Sequence, residues 1–217
     1  MIRHELLAAM LLLGCGGAAT PPVASPPRQA PVTPEPPTVA AFRAHVALRL
    51  HVPPDKLDDD TAYIRGKHDH GAARAVMMRT QDARRIEVRG WATADGAVIT
   101  PKRNLGLLFA EAGVWSQPPN TKLDDLAITL AEALVWSYGE GATLESSGVP
   151  YPALSLAADG SGQLVFFSTT ERSDPDPEAG ATTGSGGGAG QLTFQDTVAL
   201  THDHQATLTR TPFAPRP

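Results

Sequence analysis

Apolar positions recur at helical spacing in parts of this chain and at alternating spacing in others. Val39, Phe42, Val46 and Leu50 fall every three or four residues behind Thr38, and Pro53-Pro54 closes the run. One face of a helix has this period, so the pattern predicts a helix over residues 39–51 with Thr38 as its N-cap. Arg43, His45 and Arg49 form its polar face and are expected in solvent. Leu123, Leu126, Ala127, Leu130 and Leu134 repeat the pattern, with Trp136 and Tyr138 behind them and Gly139 as the stop. Thr121, with Asp124 three residues on, reads as a variant capping box for a helix over 121–138. Burying its leucines contributes roughly 1.5–3 kcal/mol each, which makes it the expected core helix. Its Asp125 and Glu132 fall on the polar side. A shorter helix is predicted over 105–112, ended by Gly113, with Val114-Trp115 entering the core behind it.

Strand patterns occupy the intervals. Arg85-Ile86-Glu87-Val88-Arg89 alternates, and Ala94-Asp95-Gly96 makes a turn before Ala97-Val98-Ile99-Thr100, so a hairpin is expected. Residues 153–157 and 163–169, joined by Asp159-Gly160-Ser161-Gly162, make a second hairpin. Leu192, Phe194, Val198 and Leu200 share one face of a strand, which residues 206–209 return against. Residues 73–80 carry Ala-Arg-Ala-Val-Met-Met, which suits a helix and a strand equally. The acidic stretch 55–60 lacks the glycine turn and distal Glu of a calcium loop and reads as a loop or helix start. The expected class is α+β, an antiparallel sheet built mainly from the second half and packed against two or three helices.

Composition changes this picture at two places. Residues 16–37 hold eight prolines among Ala, Thr, Val and Ser, a composition that extends as polyproline II and builds no core. Residues 173–190 are rich in Gly, Pro, Asp and Thr and are expected to be a disordered loop. The division is therefore a leader over 1–14, a tether over 15–37 and one domain over 38–217.

The leader is read from its own pattern. Arg3 and His4 precede an unbroken apolar run from Leu6 to Leu13, too short to span a bilayer but suited to an export signal. Leu12-Leu13-Gly14-Cys15 resembles the lipobox of bacterial lipoproteins, in which the residue after the cut is a lipidated cysteine. The resemblance implies lipidation of Cys15 and a membrane anchor. Gly16 after the cysteine, in place of Asp, implies the outer membrane of a Gram-negative envelope. Cys15 is the sole cysteine, so no intramolecular disulfide is available and lipidation would consume the one thiol.

The net charge of −5 argues against a nucleic-acid partner. Residues 65–103 nevertheless carry nine basic and four acidic side chains. That local excess suits an anionic wall polymer or lipopolysaccharide component as a partner, beside another envelope protein. No nucleophile elbow, zinc-protease motif, phosphate loop or dinucleotide fingerprint occurs. No catalytic residue or cofactor is therefore expected, and the domain reads as a non-catalytic binding or assembly module. One pattern points elsewhere. His68-Asp69-His70 and His202-Asp203-His204 repeat one tripeptide. In extended backbone each presents two imidazoles on one side, and four imidazoles together would suit zinc or copper. Gly71 and the hairpin position of residues 201–205 mark both copies as turns, so the expectation is that they do not share an ion.

Overall fold

In the computed structural model, which describes residues 35–118, 121–171 and 191–213, the first helix, α1, spans Pro37–Leu50. Its N-cap is Pro36 rather than Thr38, and no side chain caps it. Pro37 takes the first helical position, where its missing N–H has no partner to lose. The expected tether lies outside the described residues except at its end, where Pro37 already belongs to α1. The loop expected over 173–190 lies outside them entirely.

Two antiparallel sheets follow, which corrects the expectation of one sheet drawn mainly from the second half. The first has the order β1 (Leu57–Asp59), β2 (Arg74–Thr80), β3 (Glu87–Ala92) and β4 (Val98–Ile99). The expected hairpin over 85–100 is present, with Trp91 opposite Ile99, but β3 makes its longer pairing with β2. The second sheet contains β5 (Thr143–Leu144), β6 (Ala153–Leu156), β7 (Gly162–Glu171), β8 (Gln191–Leu200) and β9 (Ala206–Pro212). β5 and β6 both pair with β7, which is followed by β8 and then β9.

Strand β2 is the pivot. Ala75 and Met77 enter the larger core, whereas Val76 and Met78 face the smaller one formed with α1. A strand buried on both faces carries a continuous apolar run instead of an alternating one, which is why Ala-Val-Met-Met showed no period. Against it, Val39, Phe42 and Val46 of α1 are buried. Gly90 of β3 lets the Phe42 ring lie directly on the strand. A Cβ there would stand 2.8 Å from Phe42 Cε2 and 2.7 Å from the Ile99 carbonyl oxygen. Arg43 also departs from its expected place in solvent: it donates to Glu35 at 2.7 and 2.9 Å and to the Leu57 carbonyl, clasping α1 to β1.

The larger core lies between the sheets. Helix α2 (Leu105–Glu111) and helix α3 (Asp124–Ser137) fill it with Leu108, Phe109, Leu130 and Leu134, against Trp91 and Ile99 on one side and Leu164, Phe166, Val198 and Leu200 on the other. From Ala133 to Ser137 every residue of α3 is buried, as a helix covered on more than one side requires. Its expected capping box does not form. Leu123 occupies the cap without a side-chain bond, and the Thr121 hydroxyl donates instead to the Pro118 carbonyl at 2.8 Å. Gly113, at φ +75°, ends α2 as expected, and Val114 behind it is fully buried.

Candidate functional site

The two His-Asp-His tripeptides sit where turns were expected and are not brought together. Gly71, next to the first, lies against the carbonyl of Glu111 at the end of α2. Gly106, in the first turn of α2, lies against the carbonyl of His204. The tripeptides thus flank opposite ends of this helix. Each aspartate organises its own turn. Asp69 accepts the Ala75 N–H at 2.8 Å and pairs with Arg74 at 3.0 Å, and Asp203 accepts the Thr201 hydroxyl at 2.5 Å, which holds its carboxyl below the usual range.

One histidine of each tripeptide stacks on a tryptophan. His68 lies on Trp136 with centroids 4.7 Å apart and planes 17° from parallel, and its carbonyl accepts the Trp91 indole N–H at 2.8 Å. His204, in left-handed backbone, lies on Trp115 at 4.5 Å and 22°. Burial lowers the His68 pKa to about 4, assisted by the positive charge of Lys67. Burial likewise lowers that of His70, whose Nε2 has no hydrogen-bond partner. Among the described residues, no group of three or more His, Cys, Asp or Glu is placed to hold a metal ion.

A second polar cluster, absent from the sequence reading, lies on the inner face of the second sheet. Asp196 is fully buried. Its register partner across β8 and β9 is Arg210, whose Nε stands 2.8 Å from Oδ1 as an ion pair without being aimed at it as a hydrogen bond. Ser168 of β7 donates to the other carboxylate oxygen, and the Tyr138 hydroxyl at the end of α3 donates to Oδ1 at 3.2 Å. Arg210 Nη2 closes the ring by donating to Ser168 Oγ at 3.1 Å, while the guanidinium lies 4.2 Å over the Tyr138 ring and 4.4 Å over Phe194. Burial pushes the Asp196 carboxyl up against the opposing pull of Arg210, and burial with the Asp196 charge pushes Tyr138 well above its ordinary value. A carboxylate and a serine without an imidazole between them form no proton relay of the triad type. With Ser168 and Asp196 both at 0 % exposure, the cluster pins three strands to a helix. The signal for it was present: Asp196 interrupts the inward apolar series from Leu192 to Leu200, and a buried carboxylate requires a charged partner.

Part of the basic stretch is paired with nearby carboxylates. Arg79 bridges Asp60 at 3.4 Å and Glu87 at 2.8 Å, Arg89 meets Glu87 at 2.5 Å, and Arg84 meets Asp82 at 3.2 Å. Arg89 and Glu87 are mostly buried, whereas Arg84 and Asp82 are exposed. What this face does offer is a cleft of about 530 Å³ beside the start of α1, lined by Thr38, Asp59, Thr61, Arg65, Asp69 and Arg74 among others. Its lining mixes these hydroxyls, carboxylates and guanidinia with apolar Pro36, Val39, Ala62 and Val76, and it provides no nucleophile paired with a base.

Comparisons with protein-family models, curated proteins and solved structures each returned no match.

Two outcomes follow. Replacing Asp196 with Ala should cost about 3–5 kcal/mol in urea unfolding, because Arg210 is left buried without its counter-charge. The double variant Asp196→Leu with Arg210→Met should recover most of that loss, and simple additivity of the two substitutions would contradict the pairing. The second outcome concerns acid. The unfolded chain takes up a proton near pH 6.5 that folded His68 refuses until about 4, so stability is complete above that interval and falls as the pH drops through it. His68→Phe keeps a ring on Trp136 and should flatten this part of the stability profile; an unchanged slope in melts from pH 7 to 4 would contradict the assignment.

Proposed function

We propose that this chain is a lipoprotein of the bacterial cell envelope, anchored through a lipidated Cys15 and presenting its folded unit as a non-catalytic binding or assembly module. The observation that carries the reading is the run Leu12-Leu13-Gly14-Cys15 behind an eight-residue apolar segment, with no second cysteine in the chain. The composition of residues 16–37, with eight prolines among Ala, Thr, Val and Ser, supports it. A sequence of that kind between lipid and domain serves as a spacer. Gly16 favours the outer membrane.

The module reading is supported by what the polar groups are doing. Asp196, Ser168, Tyr138 and Arg210 are committed to one another, and both His-Asp-His turns are committed to local packing. The cleft beside α1 is a place for a partner, either another envelope protein or an anionic wall or lipopolysaccharide group meeting Arg65. The alternative of a metal-dependent domain on His68, His70, His202 and His204 would need two turns that flank opposite ends of α2 to meet, and no observation favours it.

Cells expressing the chain should incorporate a radiolabelled fatty acid into it, and the protein should enter the detergent phase on Triton X-114 partitioning. Cys15→Ser should abolish the label and shift the protein to the aqueous phase. Partitioning and label unaffected by Cys15→Ser would overturn the anchor.

A further inference from the structure

Strand β9 forms a long sheet edge that none of the preceding chemistry uses. Among the described strands it has β8 as its one neighbour. The outer strands β1, β4, β5 and β6 hold only two to four residues each, and short edge strands are a common protection against unwanted pairing. β9 holds seven, in unbroken register with β8.

The register shows which of its backbone groups face outward. Paired positions in an antiparallel ladder alternate between bonded and non-bonded. Thr201 N–H donates to Gln205 at 3.0 Å, and Phe213 N–H donates to Thr193 at 2.8 Å. The odd-numbered residues of β9 are therefore the ones bonded to β8. The N–H and C=O groups of Ala206, Leu208 and Arg210 point away from the sheet. The row is bounded at both ends: α2 abuts the His204 carbonyl before it, and Pro212, with no N–H, ends the donors after it.

Two usual edge defences, lysine and a bulge, are missing from this interval, and it has no proline before Pro212. Its one charge, Arg210, is turned inward onto Asp196. The outward-facing Thr207, Thr209 and Thr211 are exposed, uncharged and β-favouring.

We propose that β9 is a homodimer interface, pairing antiparallel with β9 of a second copy about a twofold axis at Leu208, so that the two second sheets become one continuous sheet. The bounded edge is centred on Leu208, and its donors and acceptors complement themselves under that rotation. Ala206 falls opposite Arg210 of the second copy and Leu208 opposite Leu208, giving about six backbone hydrogen bonds. On the outer face Thr207 meets Thr209 of the second copy, a favourable cross-strand pair with no like charges opposed. Half-buried Leu208 is covered by its own symmetry mate. This is an isologous contact, which closes at two copies.

The chain with Cys15→Ser has no other thiol, so introduced cysteines report cleanly. In the full-length chain in detergent, Thr207→Cys with Thr209→Cys should form a disulfide-linked dimer on mild oxidation, because positions 207 and 209 face each other across the axis. Either cysteine alone should crosslink poorly, since each then faces a threonine. Sedimentation of the Cys15→Ser chain should show a concentration-dependent dimer. Thr207→Lys with Thr209→Lys should weaken it at least tenfold while leaving the melt unchanged at concentrations where the parent chain is monomeric, because both sites are on the exposed face. A monomer at every concentration, a dimer indifferent to the lysines, efficient crosslinking by a single cysteine, or capture of a strand from another protein in place of the second copy would each overturn the proposal.

Discussion

Burial of β2 on both faces is the constraint on which the rest of this structure depends. Ala75 and Met77 serve one core and Val76 and Met78 the other, so neither core can be completed without this strand. Its neighbour β3 follows suit, with Trp91 turned to the larger core and Val88 and Ala92 to the smaller. The glycine between them at position 90 is a consequence, since α1 must press Phe42 onto the sheet for the smaller core to close. The helices α2 and α3 are then held between two sheets, and α3 becomes apolar around most of its second half.

The second dependency is electrostatic. A fully buried carboxylate in the middle of an apolar sheet face is costly unless matched. Asp196 is matched three times over, by Arg210, Ser168 and Tyr138. That arrangement fixes the register of three strands against the end of α3, because shifting a strand by one residue would send its polar member to the other face. It also accounts for the neutral exposed edge of β9, whose only charge is drawn inward.

Elements whose signals are local were legible in the sequence. The hairpin of β6 and β7 follows from Asp159-Gly160, and Asp159 accepts the Ser161 N–H at 2.9 Å in the tight turn. The end of α2 follows from Gly113, and the inward faces of β8 and β9 follow from alternation. Elements defined by distant partners were not. β2 lost its period because two layers cover it, and β1 is too short to carry one. The cap expected at Thr121 failed because a nearby carbonyl, that of Pro118, took its hydroxyl. Both His-Asp-His copies were legible as turns, yet the tryptophans that receive His68 and His204 come from other elements. The Asp196 cluster could be found only by noticing that position 196 breaks its own stripe and asking which cation answers it.

Native-state hydrogen exchange tests the central claim, that two cores joined through β2 make one cooperative unit. The amides of Val76, Met77 and Met78 should exchange only through global unfolding, at the free energy measured for the whole unit in denaturant. Those of α1 and of the paired positions in β7 and β8 should join them as denaturant rises. Exchange of β2 and α1 at a much lower free energy, with β7 and β8 still protected, would show two independent layers and contradict the account.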